Sequence, residues 1–216
     1  MSASPSAAPP PAPRPEAAAG REPLVSVLPP SAPRSREGRL LRGFARSVLW
    51  LGRWKLVGDW PDVRKVVVIV APHSSVWDAI WGIAAKVAMG LGIVFIGKKE
   101  AFWGPLGWIL RRVGGMPVDR AAPGGIVQQV AGEMHRAERM WFVLSPEGTR
   151  RRVEHWKPGF WKIARAAGVP VFTVGFDYPS RRIIMGQLVE LTDDFNADLR
   201  RIRPLFAGYR GKHHDA

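Results

Sequence analysis

Cysteine is absent from the 216 residues, which excludes disulfides, thiolate metal sites and a cysteine nucleophile together. Acidic residues are scarce: 18 Asp and Glu stand against 32 Lys and Arg, a net charge of +14. That excess calls for an anionic partner, whether nucleic acid, anionic lipid or an acidic protein, and says nothing of the fold. Tyrosine is nearly missing, with two residues against ten tryptophans. Tryptophan favours places where one end is apolar and the other wet, such as a membrane interface, so this bias pulls against nucleic acid. Long uncharged apolar runs are missing too. A membrane-spanning helix needs about 18 such residues; the longest candidate, residues 76–97, carries Asp78 and Lys86, so no span is expected. Residues 1–38 hold no apolar core of a secretory signal.

What is present divides the chain into four parts. Residues 1–38 are rich in Pro, Ala and Ser and read as a disordered tail, because they cannot bury enough apolar surface to offset the entropy of ordering. Residues 39–57 place Leu40, Leu41, Phe44, Val48, Leu51 and Trp54 or Lys55 at helical spacing, with Arg39, Arg42, Arg46 and Arg53 between them. Two readings stand for this amphipathic helix: a membrane-surface anchor, or a first helix packed on the domain with its arginines in water. Residues 58–207 form a single domain, and 208–216 a frayed C-terminal tail.

Within the domain, apolar runs alternate with amphipathic segments. Strands are expected at about 65–71, 92–96, 115–118, 140–144, 170–175 and 182–190, and helices at about 76–90, 101–112, 124–138, 157–167 and 193–202. Unbroken runs such as VVVIV suit strands covered on both faces. The pattern predicts an α/β domain with a largely parallel mixed sheet flanked by helices, and ligands at the C-terminal ends of the strands.

The polar clusters fall at those strand ends. His73 follows the first strand, Arg120 the third, and Glu147 and Arg150 the fourth, which points to one shared pocket. Histidine can take a proton near neutral pH, and as a general base it needs a carboxylate to orient it. Asp78 lies five residues on, which on a continuous helix would turn it to another face. The two side chains meet only if His73 sits in the turn and Asp78 in the first helical turn behind Ser75 as N-cap. The plainer reading is that Asp78 does no more than cap that helix. In SPEGTR, Gly148 allows close backbone approach, and Arg150 offers forked donors for phosphate; alone, it also reads as a solvated loop. Trp103 and Trp108 are each expected in the core before a membrane or acyl surface. No GxSxG, dinucleotide or Walker motif is present, which favours a base acting on a substrate hydroxyl over a serine nucleophile. His135 and His155 lack metal-ligand spacing, so no metal is expected.

Taken in order, these blocks resemble the glycerolipid acyltransferase family, whose bacterial member is lysophosphatidic acid acyltransferase. Its H-x4-D is matched by His73 to Asp78. Its lysine-to-DR block is matched by Lys99, Gly114, Pro117, Val118, Asp119 and Arg120. Its F-P-E-G-T-R-S block is matched by Ser145-Pro146-Glu147-Gly148-Thr149-Arg150, and its apolar-Pro-apolar strand by Val169-Pro170-Val171. The resemblance implies a glycerol-3-phosphate acyltransferase-like fold and makes 58–207 an acyltransferase domain. It implies that His73, oriented by Asp78, deprotonates the hydroxyl of a lysophospholipid such as 1-acyl-glycerol-3-phosphate, which attacks an acyl-CoA or acyl carrier protein thioester with no acyl-enzyme. Lys99, Arg120, Glu147, Gly148, Thr149 and Arg150 would hold the acceptor's head group. No cofactor beyond the acyl donor is implied. The expected partners are membrane phospholipids and acyl carrier protein, without nucleic acid, at the cytoplasmic face of a membrane. Ser145, Pro117 and Arg151 depart from the family pattern and leave other acceptors open, lyso-aminolipids among them. A non-enzymatic nucleic-acid-binding protein is the rival of a different class.

Overall fold

A computed structural model describes residues 24, 26–119 and 125–215. In it the elements run α1 (Arg39–Leu51), β1 (Lys55–Val57), β2 (Lys65–Ala71), α2 (Val76–Met89), β3 (Ile93–Lys98), α3 (Gly104–Arg112), β4 (Gly115–Val118), α4 (Gly125–Arg136), β5 (Met140–Leu144), α5 (Gly159–Ala167), β6 (Val171–Asp177), β7 (Arg182–Val189) and α6 (Phe195–Ile202). The strands form one sheet in the order β1-β7-β6-β2-β5-β3-β4. Every pairing is parallel except β6 with β7, which a tight hairpin joins. The fold is the expected α/β single domain.

The central strand shows why the apolar runs are unbroken. Along β2, Val66 and Val68 join the core beneath α1 and α2, while Val67, Ile69 and Ala71 join the core beneath α4, α5 and α6. Side chains alternate across a strand, so a strand covered on both faces must be apolar at every position. Neighbouring β5 does the same with Trp141 and Phe142, both fully buried. Trp141 keeps its indole N–H satisfied by donating to the Val63 carbonyl at 2.9 Å.

Four expectations need correction. First, the helix read over 39–57 stops at Leu51: Gly52 caps it and Arg53 turns left-handed at φ 59°, which frees Lys55–Val57 to pair in parallel with β7. Second, α1 packs on α2 through Ala45 and Leu49, whereas most of the stripe read from its sequence faces outward: Leu40 is 92% exposed, Phe44 66% and Leu51 72%. Third, residues 26–38 are not a free tail. Leu28 and Ala32 are buried in the core, Arg34 bridges to Leu91, and Glu37 makes a buried ion pair with Lys86 at 3.4 Å. Residues 1–23, most of the tail expectation, lie outside the described residues. Fourth, Trp103 and Trp108 are exposed, because α3 lies over the edge strand β4 and buries chiefly Gly107 against Phe102. No helix among the described residues is long and apolar enough to cross a membrane.

Candidate active site

The site grows from the turn after β2. The Ala71–Pro72 peptide is cis, His73 and Ser74 follow, and Ser75 caps α2. The cap is a full capping box: the Ser75 hydroxyl accepts from the Trp77 amide at 3.3 Å, and the Asp78 carboxylate accepts from the Ser75 amide at 2.8 Å. The same Asp78 oxygen, Oδ2, lies 3.3 Å from His73 Nδ1. Capping and orienting are therefore one carboxylate's work, which is how two residues five apart can meet.

A third partner completes the arrangement. Tyr178, just past the end of β6, donates its hydroxyl to the other Asp78 oxygen, Oδ1. Burial alone pushes the Asp78 carboxyl up, but the donors from His73, Tyr178 and Ser75 outweigh it and hold it below its ordinary value. Burial and the adjacent carboxylate push the Tyr178 phenol far up, so it stays a donor at any pH the protein meets. An imidazole held through Nδ1 by a buried carboxylate presents Nε2 outward as a proton acceptor. The His73 side chain is 28% exposed, and its Nε2 makes no hydrogen bond among the described residues.

Glu147 braces the turn from the other side. It is 2% exposed, and its Oε2 accepts from the His73 backbone amide at 2.9 Å, tying the end of β2 to the loop after β5. Burial pushes its carboxyl up; the His73 amide and the charges of His214 and His73 offset part of that rise, and Asp78 adds to it. Gly148 turns left-handed at φ 64°, with the Lys157 stem 2.9 Å from where a Cβ would stand. Thr149 accepts the Arg151 amide through its own hydroxyl at 3.3 Å, and Arg150 is exposed. Lys99 stands in the turn after β3, two strands from His73, with its ammonium 3.7 Å from the Asp119 carboxylate. Arg120 lies outside the described residues. The structure thus brings His73, Asp78 and Glu147 together and sets Lys99 apart on the same sheet edge.

Sequence reasoning missed Tyr178 and the segment 209–215. Within the 208–216 tail expected to fray, the Lys212 and His213 amides donate to Ser74 Oγ at 2.8 and 3.3 Å, and His214 Nε2 lies 3.2 Å from the Arg150 carbonyl. Ser74 is 4% exposed and already accepts two amides, so it serves the turn and is ill placed as a nucleophile. Among the described residues, no group of three His, Asp or Glu side chains could hold a metal ion.

No curated protein matches the chain. A crystal structure of the 1-acyl-sn-glycerophosphate (LPA) acyltransferase PlsC from Thermotoga maritima superposes with a TM-score of 0.56 at 19% identity, covering 76% of this chain and 73% of that one. At that identity the likeness bears on the fold alone. The pattern of the acyltransferase family matches residues 60–177, more than half of the chain, from the approach to β2 through the end of β6. The chain belongs to the acyltransferase family.

Proposed function

We propose that the protein is a membrane-surface O-acyltransferase that moves a fatty acyl group from an acyl-CoA or acyl carrier protein thioester to a lysophospholipid hydroxyl, with 1-acyl-glycerol-3-phosphate as the reference acceptor. The observation that carries this reading is the buried Asp78 carboxylate 3.3 Å from Nδ1 of His73, whose side chain is 28% exposed. In this scheme Nε2 takes the hydroxyl proton while the hydroxyl oxygen attacks the thioester carbonyl. A C–O bond forms, the C–S bond breaks, and the proton passes from the imidazolium to the departing thiolate. Gly148, Thr149 and Arg150, with Lys99 and Arg120, form the acceptor's phosphate site; Glu147 contributes by fixing the His73 turn.

Attachment at the cytoplasmic face of a membrane is part of the proposal. Phe44, Trp50 and Leu51 of α1 and Trp103, Leu106 and Trp108 of α3 are each more than half exposed. The cavity between Arg36, Trp108, Arg111 and Arg112 joins the approach to α1 with the end of α3 and carries cations beside the apolar surface. Apolar side chains bordered by arginine fit an anionic bilayer surface.

The test is acyl transfer by the purified protein to a panel of lysolipids, lyso-aminolipids included, with acyl-CoA and acyl carrier protein donors. His73→Ala should lower turnover by about 10²–10⁴, the usual contribution of a general base. Turnover unchanged in that variant would remove His73 from the chemistry.

A further inference from the structure

The sheet order sets His73 between two separate groups of cations. On the β5 and β3 side stand Arg150 and Lys99. On the β6 side, the hairpin to β7 carries Tyr178 and Arg181, and residues 209–215 fold back across the strand ends to bring Lys212. Arg181, Lys212 and Tyr178 line a cavity of about 330 Å³ with Gly52, Trp54, Trp77 and Trp81. Its wall is aromatic: Trp54 stacks on Trp81 with centroids 5.4 Å apart, and Trp81 on Trp77 at 6.1 Å.

The C-terminal segment is built in, and this places Lys212. The Tyr178 amide donates to the Arg210 carbonyl at 2.9 Å, and the Arg210 amide to Asp177 at 3.2 Å. Gly175 leaves room for the Tyr209 ring, which a Cβ would meet at 2.3 Å, and a Cβ on Gly211 would stand 2.7 Å from Ser74 Oγ. So held, Lys212 puts its ammonium 4.9 Å from the centre of the Trp77 ring. Arg181 is left-handed at φ 53°, where glycine or asparagine is the usual residue, and its Nη1 donates to the Gly52 carbonyl at 3.3 Å. Neither cation makes an ion pair among the described residues.

We propose that this cavity binds the phosphopantetheine arm of the acyl thioester donor, Lys212 and Arg181 holding its phosphate and the tryptophans its apolar length. The inference rests on the acyl-transfer reading above. Such a reaction brings two phosphate-bearing substrates to one base, and like charges must be kept apart while the reacting atoms come within about 3–3.5 Å. Cations on both sides of His73 meet that need: the family-motif residues take the acceptor, and the hairpin with the C-terminal segment takes the donor. The arm is common to coenzyme A and to acyl carrier protein, and both donors are expected to use the cavity.

Lys212→Ala and Arg181→Gly test the assignment. Lys212 is exposed and glycine suits the left-handed turn, so neither change threatens the fold. Each should raise the KM for acyl-CoA and for acyl carrier protein by about tenfold, the effect of losing one charge-assisted contact, with kcat and the acceptor KM changed less than twofold. Independently of turnover, coenzyme A should quench the tryptophan fluorescence of the wild type. The two variants should bind it about tenfold more weakly, and pantetheine lacking the phosphate should compete poorly. Unchanged donor KM and coenzyme A affinity would overturn the proposal, as would a rise confined to the acceptor KM. Absence of acyl transfer by the wild type would instead remove the reaction, and the coenzyme A titration would still decide the cavity.

Discussion

Tyr178→Phe isolates one hydrogen bond in the candidate site. The ring keeps its edge contact with Trp54, whose centroid is 5.0 Å away, so packing changes little. What is lost is the phenol donor to Asp78 Oδ1, inside a pocket where the carboxylate is 2% exposed. A hydrogen bond to a charged group contributes about 1.5–3 kcal/mol, and 1.36 kcal/mol corresponds to one pH unit of titration. The native environment holds the Asp78 carboxyl below its ordinary value. Its contribution to stability is therefore complete above that ordinary value and is lost as pH falls through the folded one. The variant should unfold about 1.5–3 kcal/mol more easily at pH 7, with a smaller deficit in acid, where the carboxylate is protonated in both proteins.

The same loss bears on catalysis with a definite sign. Without the phenol, the Asp78 carboxyl takes a proton more readily, because one of the donors that hold it below its ordinary value is gone. That change moves the acid limb of kcat/KM to higher pH, by about one to two units. The assay is release of free thiol from the donor across pH, beside urea unfolding followed from pH 7 downward through the acid range. An acid limb that stays in place, or a stability deficit that does not shrink anywhere as pH falls, would refute the link between Tyr178 and the Asp78 charge and leave the tyrosine as packing alone.

Burial raises the Glu147 carboxyl, so the native state holds that proton more tightly than the unfolded chain and the ionised group weakens the fold as pH rises. Glu147→Gln retains an acceptor for the His73 amide and should be more stable than wild type at pH 8, with the difference shrinking by pH 4, as read by thermal unfolding. On the membrane side, the double variant Trp50→Ser, Trp103→Ser should partition at least about tenfold less onto anionic vesicles, since even partial burial of two tryptophans is worth more than 1.4 kcal/mol. Wild-type binding should weaken with salt, and unchanged co-sedimentation of the variant would exclude α1 and α3 as the docking face.

The parts legible in the sequence are those whose signal is local. VVVIV announces a strand covered on both faces, and β2 is that strand. Gly90 and Gly168 mark the ends of α2 and α5 because both take left-handed caps. Even the meeting of His73 with Asp78 is local, since it follows from where the helix begins. Signals carried by distant contacts were not readable. Tyr178 reaches Asp78 across 100 positions of chain, with no motif around it. The C-terminal segment is held largely by main-chain amides and carbonyls, which leave no residue signature, so its polar composition reads as a loose end. β1 was hidden for another reason: its three residues continue the apolar spacing of α1, and only Gly52 signals the break.

The sheet order accounts for why all these groups converge. From β2 the chain moves outward through β3 to β4, returns to place β5 beside β2, then crosses to β6 on β2's other flank. Chain direction across the sheet thus reverses around β2, and parallel strands all end on one edge, so loops from both flanks border a single crevice there. Adjacent strands lie about 4.8 Å apart, which puts the loops after β5 and β6 within one side chain's length of the turn after β2. Glu147 spans that gap from one flank and Tyr178 from the other, each ending on a different part of the same turn: the His73 amide and the Asp78 carboxylate. The turn that carries His73 is gripped from both neighbouring strands, so on the proposed mechanism the acceptor hydroxyl must be brought to it. On the proposed mechanism, the exposed cations on the two flanks, rather than movement of His73, would align the substrates.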